Sequence, residues 1–277
     1  MRVAVRINPR DERVVAPLRV VVDLIRAQGI DPILLDEDAA EKGMYVRKDK
    51  YIDHELDLMV VLGGDGTLLT AGRMALVGEV PLLGIGTGRF GFLAQSDLER
   101  FESDFKAWMA GQFRVEERTV VEASVGDRHY VAINDFVLGD AGFATLSPLE
   151  VHVGESAPFS LQGDGLIIAS PTGSTAYNLS AGGPIVDPSI PSILLTPICP
   201  HRLGVRPLAI SPTERVGVVL RGESPNQWLT VDGQFGERIG PNQPIQFSVP
   251  HERMRLVRIE GSPPFFEVLR EKFHWGR

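Results

Sequence analysis

Residues 63–67 read Gly-Gly-Asp-Gly-Thr and stand between the apolar stretches 58–62 and 68–69. Glycines without a Cβ let main-chain N–H groups come close to an anion. A helix opening at this turn adds its positive end to the same spot. Gly63, Gly64, Gly66 and Thr67 therefore suit a phosphate. Asp65 does not, because a carboxylate beside phosphate is repelled. It becomes useful if a divalent cation intervenes, or if it accepts the proton of an attacking hydroxyl. Both uses belong to phosphoryl transfer. A plain tight turn, with Asp65 capping the helix at Gly66, explains the same five residues. The pentapeptide alone leaves both readings open.

Two other stretches carry chemistry. Residues 84–91, GIGTGRFG, contain Gly86-x-Gly88-x-x-Gly91. A dinucleotide fingerprint needs a helix straight after its glycines. Here the next cap signal is Ser96, so a second close-approach loop is predicted instead. Phe92 beside it offers a ring face to a base, or simply packs in a core. Residues 164–185 read DGLIIASPTGSTAYNLSAGGPI. They predict a strand, a turn with hydroxyls over 171–174, and a short helix over 175–181 ended by Gly182-Gly183-Pro184. Such hydroxyls bind ribose or phosphate, or cap the helix. A nucleophilic serine is excluded, since the pattern is not Gly-x-Ser-x-Gly and no histidine is paired with it.

These residues need elements to hold them. Residues 2–7 alternate as a strand, and Val14, Leu18, Val21, Val22 and Ile25 mark one helical face over 11–28. Pro17 sits near its start and Gly29 ends it. Strands follow at 31–35, 57–62 and 80–85, with helices at 68–76 and 97–109, the latter capped by Ser96 and stopped by Gly111. This is the rhythm of a parallel sheet covered by helices. The charged run 36–53 reads as an exposed loop, or as a lid carrying Arg47, Lys48 and Lys50 toward a phosphate. Beyond residue 113 the segments 119–125, 130–138, 149–153, 165–169, 205–210, 215–221, 227–232 and 245–249 are short and β-rich. The fold class is thus an α/β N-terminal domain, 1–112, and an antiparallel, sandwich-like domain, 113–261. The helix-like tail 262–277 returns to the first.

Composition sets the limits. In 277 residues, hydrophobic side chains make up 43% and charged ones 23%, enough for a sizeable core. A net charge of −8 argues against nucleic acid and anionic membranes as partners. Cys199 is the single cysteine, so no internal disulfide forms, and a small turn residue is its expected role. The six histidines are scattered, which argues against a protein-held zinc or iron site. No apolar stretch reaches membrane-spanning length, and a cytoplasmic location is expected.

Taken together, the motifs resemble the NAD kinase family. The resemblance rests on Gly63-Gly64-Asp65-Gly66-Thr67, Asn134-Asp135, Asp164-Gly165-Leu166, the block Pro171-Thr172-Gly173-Ser174-Thr175-Ala176-Tyr177, and Asp232-Gly233-Gln234. Pro197-Ile198-Cys199-Pro200-His201, Arg206-Pro207 and Phe266-Glu267-Val268-Leu269 extend it along the chain in order. Gly-Gly-Asp-Gly is shared with lipid and sugar-phosphate kinases; the Thr-Gly-Ser-Thr-Ala-Tyr block decides between them.

The resemblance implies NAD bound between the two domains and phosphorylated on the 2′-hydroxyl of its adenosine ribose. The donor is ATP, another nucleoside triphosphate or polyphosphate, with Mg²⁺ carried by the donor rather than by the protein alone. It also implies a homodimer or homotetramer. Position by position, Asp65 resembles the proton acceptor, and Gly63, Gly64, Gly66 and Thr67 the phosphate turn. NAD contacts are implied for Asp65, Gly66, Phe92, Asn134, Asp135, Gln162, Asp164, Thr172, Thr175, Ala176, Tyr177, Asn178, Leu179, Ser180 and Gln234. Vicinal ribose hydroxyls suit acceptors such as Asn134, Asp135 and Asp164, and Tyr177 offers a ring for stacking. Asn134-Asp135 also reads as a β-turn or bulge, and Gln234 as part of a hairpin turn.

Three positions depart from the family pattern. Asp135 replaces a Glu, Gly86 an Asn, and Gln162 a basic residue. Two other functions remain to be tested against this one: a lipid or sugar-phosphate kinase sharing Gly-Gly-Asp-Gly, and a nucleotide-binding regulator without catalysis.

Overall fold

The computed structural model describes residues 1–8, 11–35, 56–88, 91–94, 96–140, 147–222 and 227–275. The charged run 36–53, with its lid reading, lies outside them. The described residues up to Glu117, together with those from Met254 onward, form one compact unit; Arg118 to Arg253 form the other.

The first unit begins with β1 (Val3–Ile7), α1 (Val15–Ala27), β2 (Ile33–Leu34), β3 (Leu58–Leu62), α2 (Asp65–Leu76), β4 (Leu82–Gly86), β5 (Ser96–Asp97), α3 (Phe101–Met109) and β6 (Phe113–Arg118). Every residue of β3 is buried, as befits a strand covered on both faces. β1 pairs parallel with β2 and β3, β3 with β4, and β4 with β5. One face carries Val3, Val5, Leu58, Val60, Leu62, Leu83 and Ile85, packed with Val21 and Ile25 of α1 and Phe101, Phe105 and Trp108 of α3. The contact of α2 with β4 is close. A Cβ on Gly84 would lie 2.9 Å from Leu68 Cδ1, so a side chain there would push the helix away.

Ser96 differs from its expected role as a cap. It lies in β5, buried, and its hydroxyl donates to Asp104 Oδ2 at 2.6 Å. The helix starts later, at Phe101, after Asp97 Oδ1 has accepted the Arg100 N–H at 2.8 Å. Helix α2 starts earlier than expected, at Asp65, with Gly64 as its N-cap.

The second unit contains β7 (Val121–Val125), β8 (Arg128–Ala132), β9 (Asp135–Asp140), β10 (Ser147–Val153), β11 (Phe159–Gly163), β12 (Gly165–Ala169), α4 (Tyr177–Ser180), β13 (Ile193–Ile198), β14 (Leu208–Ile210), β15 (Val216–Leu220), β16 (Gln227–Val231), β17 (Phe235–Arg238) and β18 (Pro244–Ser248). They form two six-stranded sheets, ordered β11-β10-β15-β18-β7-β8 and β14-β13-β12-β9-β16-β17. Their inner faces share one core, in which Ala123, Leu149, Val218 and Phe247 meet Phe136, Leu138, Leu166 and Leu229. The rings of Phe136 and Phe247 lie 5.4 Å apart across it. This is a sandwich of antiparallel sheets. The outer face of β12 is buried too, because Ile167 and Ala169 pack with Ala181 and Val186. The segment after β12 is thereby folded back onto the sheet.

The expected strand 130–138 is two strands, broken at Ile133 and Asn134. β19 (Met254–Ile259) then returns to the first unit and pairs parallel with β4 at Leu256 and Leu82. α5 (Phe265–Phe273) follows. β6 and β19, which the sequence pattern places in the second domain, are neighbours in the first unit's seven-stranded sheet. Among the described residues no helix is long and apolar enough to cross a membrane. An α/β unit with a parallel sheet and a β-rich antiparallel unit are both present, as the sequence predicts.

Candidate active site

In the first unit the geometry centres on Asp65. β3 delivers the chain to Gly63, whose φ of 149° is a conformation that favours glycine. A Cβ on Gly63 would sit 2.5 Å from Thr67 Oγ1. The Gly64 carbonyl accepts the N–H groups of Thr67 at 3.0 Å and Leu68 at 3.2 Å, which starts the helix. Gly64 and Gly66 are exposed at this positive end, as a phosphate turn requires.

The Asp65 side chain does not cap α2. Its Oδ2 accepts the Phe92 N–H at 2.9 Å, and its Oδ1 the Leu93 N–H at 3.1 Å. These donors fix the carboxylate's plane and leave it lone pairs for a further proton. Gly91 completes the fit, since a Cβ there would lie 1.8 Å from Asp65 Oδ1. Asp65 is half-buried. The loop predicted from Gly86-x-Gly88-x-x-Gly91 thus makes its close approach to a carboxylate of the same chain. Phe92 turns its ring to α5, with centroids 6.0 Å from Phe265 and 6.1 Å from Phe273, and Lys272 Nζ 5.3 Å from its centre. Of the two readings of Phe92, this is the packing one.

In the second unit the hairpin β16–β17 turns at Asp232 and Gly233, with φ of 49° and 63°. Positive φ at both central residues is the type I′ geometry that Asp-Gly favours. The turn aims the Asp232 carboxylate at the break between β8 and β9. There it accepts the N–H groups of Ile133 at 3.2 Å, Asn134 at 2.7 Å and Asp135 at 3.2 Å. The Asn134 carbonyl accepts the Ser170 N–H at 2.8 Å, and Ser170 Oγ donates to the Ile133 carbonyl at 2.5 Å. Gly173 packs against this peptide so closely that a Cβ would lie 2.1 Å from the Asn134 oxygen.

Asp135 is 4% exposed. Burial, then the charge of Asp232, pushes its carboxyl up to about 7, opposed by a hydrogen bond from the Tyr177 main chain. That bond ties the start of α4 to β9.

The residues expected to contact NAD separate by exposure. Asp164, Gln162, Tyr177, Ser180 and Gln234 are exposed, and Asn134, Thr175, Ala176 and Leu179 are half-buried. Thr172 is buried, with its hydroxyl 3.4 Å from the Arg118 guanidinium. The Asn178 side chain departs from the expectation of an NAD contact. It is fully buried, donates to the carbonyls of Ser174 and Pro184 at 3.0 Å each, and accepts the Thr196 hydroxyl at 2.6 Å. Its amide is spent holding the turn together. Cys199 lies at a positive φ of 45°, and a hydrogen bond to Asp164 raises its thiol above the usual range.

Sequence reasoning missed the roles of Asp232 and Ser170. Asp232 reads locally as a hairpin corner, and nothing in the sequence ties it to amides 97 to 99 positions away. Gly91 was visible as a close-approach glycine, but its neighbour was not.

Residues 21–113 match the model of the ATP-NAD kinase N-terminal domain, and residues 133–259 that of the ATP-NAD kinase C-terminal domain. An NAD kinase of Solibacter usitatus is 38% identical over 266 residues, covering 92% of this chain and 91% of the relative. One from Heliobacterium modesticaldum is 40% identical over 228 residues, 80% of each chain. Among solved structures, an NAD kinase from Archaeoglobus fulgidus in complex with ATP superposes with a TM-score of 0.79 at 25% identity, covering 99% of both chains. The yeast NADH kinase complexed with NADH gives a TM-score of 0.84 at 24% identity, over 100% of this chain and 88% of that one. On these matches, the chain belongs to the NAD kinase family.

Proposed function

We propose that the chain transfers the terminal phosphoryl group of ATP to the 2′-hydroxyl of the adenosine ribose of NAD, giving NADP and ADP. The observation that carries this is the half-exposed Asp65 carboxylate, gripped by two main-chain N–H groups at the start of α2. Asp65 takes the hydroxyl proton as the oxygen–phosphorus bond forms and the bond from the γ-phosphorus to the bridging oxygen breaks. Gly63, Gly64, Gly66 and Thr67 cradle phosphate. Asn134, Asp164, Thr175, Tyr177, Ser180 and Gln234 present polar groups and a ring to the nucleoside moieties, and Asp135 and Asn178 hold the main chain that carries them. ATP as donor is supported by the archaeal relative's complex.

Mg²⁺ enters this proposal with the donor. Among the described residues no group of three or more His, Cys, Asp or Glu side chains is placed to hold a metal ion. Mg²⁺ keeps waters and substrate phosphates and takes only one or two carboxylates from a protein, and Asp65, half-buried at the phosphate turn, is a carboxylate of that kind. When bound, it neutralises charge developing on the phosphoryl oxygens. A homodimer or homotetramer and a cytoplasmic location belong to the same proposal and rest on the family resemblance; sedimentation and cell fractionation measure them.

The test is an incubation with NAD, Mg²⁺ and either ATP or polyphosphate, read by an NADP-specific dehydrogenase. NADP is expected, and Asp65→Asn abolishes its formation while calorimetry shows NAD binding retained. Label from ATP appearing in diacylglycerol and not in NAD would reverse the assignment. Tight NAD binding with no transfer from any donor would make the chain a regulator.

A further inference from the structure

A buried cation stands behind the segment that holds Asp65. Arg258, on β19, is 3% exposed. Its Nε donates to Glu116 Oε2 at 2.7 Å and its Nη2 to Oε1 at 3.5 Å, a bidentate pair between neighbouring strands. Its third nitrogen, Nη1, donates to the Leu93 carbonyl at 3.4 Å. The N–H of that same Leu93 donates to Asp65 Oδ1. One residue thus receives the guanidinium at its carbonyl and grips the carboxylate with its amide.

We infer that Arg258 is a positioning residue for Asp65, acting through the main chain of Leu93. The inference rests on the reading of Asp65 as proton acceptor. Burial lowers the guanidinium's pKa and Glu116 opposes the shift, so the cation is held at a cost. Buried ion pairs are weak sources of stability, and apolar residues of similar volume in place of both Arg258 and Glu116 would serve the fold as well. What only the planar fork does is fix Glu116 and the Leu93 carbonyl at once. From the other side, α5 holds Phe92 by its ring. Both donors to Asp65 are therefore anchored. Arg255, on the same strand, contrasts with this: its side chain is 31% exposed and pairs with Glu79 and Glu117.

The test is steady-state kinetics with NAD, ATP and Mg²⁺, alongside thermal melts. Arg258→Met lowers kcat by about 10- to 100-fold, with both KM values within about twofold, as expected when a catalytic group is misplaced while both substrates still bind normally. Arg258→Lys keeps the charge, loses the fork and falls about tenfold. Arg255→Met keeps wild-type kcat. If Arg258→Met does not fold, Arg258→Lys and Glu116→Gln carry the same comparisons. A folded Arg258 variant with wild-type kcat, or one that raises KM alone, overturns the inference. Normal turnover by Asp65→Asn overturns the reading of Asp65 itself. An inert Asp65→Asn beside a fully active Arg258→Met overturns only the positioning role.

Discussion

Replacing Asp135 by Asn makes the protein more stable, and only above mildly acidic pH. Asp135 is 4% exposed, and its carboxyl is raised from 3.8 to about 7 by burial and by Asp232. A carboxyl raised in the folded state binds its proton more tightly there than in the unfolded chain. Below pH ~4 both states are protonated and the group has no net effect. Between about 4 and 7 the unfolded chain ionises while the fold retains the proton, so wild-type stability falls with rising pH. Above about 7 the loss is complete. Three pH units at about 1.4 kcal/mol each make it about 4 kcal/mol. Asn keeps an acceptor for the Tyr177 N–H, offers an N–H toward Asp232 and never ionises. Urea unfolding of wild type and Asp135→Asn at pH 5, 6, 7 and 8 should show the difference growing by about 3 kcal/mol in favour of the variant. In thermal melts that is roughly 5 °C for a chain of this size. Parallel curves from pH 5 to 8 would refute the reasoning, and so would a wild type that gains on the variant as pH rises.

Gly91→Ala places a methyl 1.8 Å from Asp65 Oδ1, so the carboxylate must leave its donors; NADP formation falls about 10- to 100-fold while the melting temperature moves little. Asp232→Ala strips the acceptor from three amides and costs about 3 kcal/mol in urea unfolding, with weakened NAD binding by calorimetry. Asn178→Ala orphans the Thr196 hydroxyl and the carbonyls of Ser174 and Pro184 and costs about 2 to 4 kcal/mol; an equilibrium melt indistinguishable from wild type would show that its network contributes nothing.

The parts of this fold that repeat a local pattern were legible. The uniformly apolar β3, the one-sided α1 and the glycine turn at 63–67 announced an α/β unit because burial on two faces, burial on one face and a positive φ each leave a distinct residue pattern. Residues 113–118 and 254–259 fall inside the second domain's bounds read from the sequence, yet form β6 and β19 of the first unit's sheet, because pairing across 142 positions, as between Glu116 and Arg258, leaves no local trace. Ser96 looked like a helix cap and instead became a buried partner of Asp104, since its hydroxyl satisfies either demand. In the candidate site, Asp65 was visible by its surroundings, whereas its donors at Phe92 and Leu93 were not: main-chain groups carry no residue identity. Asn178 reads as an NAD contact with the rest of its motif, though its buried polar head serves Ser174, Pro184 and Thr196. A motif names residues that matter; it does not say which way each one points.

The first unit takes its strand next to β4 from residues 254–259. During synthesis the apolar edge of β4 therefore waits while residues 118–253, contiguous in the chain, assemble their sandwich. Arg258 arrives with that strand, so the support proposed for Asp65 is assembled only after residues 118–253 have been made. A chain halted short of position 254 would carry the sandwich and lack both the strand beside β4 and the guanidinium behind Leu93.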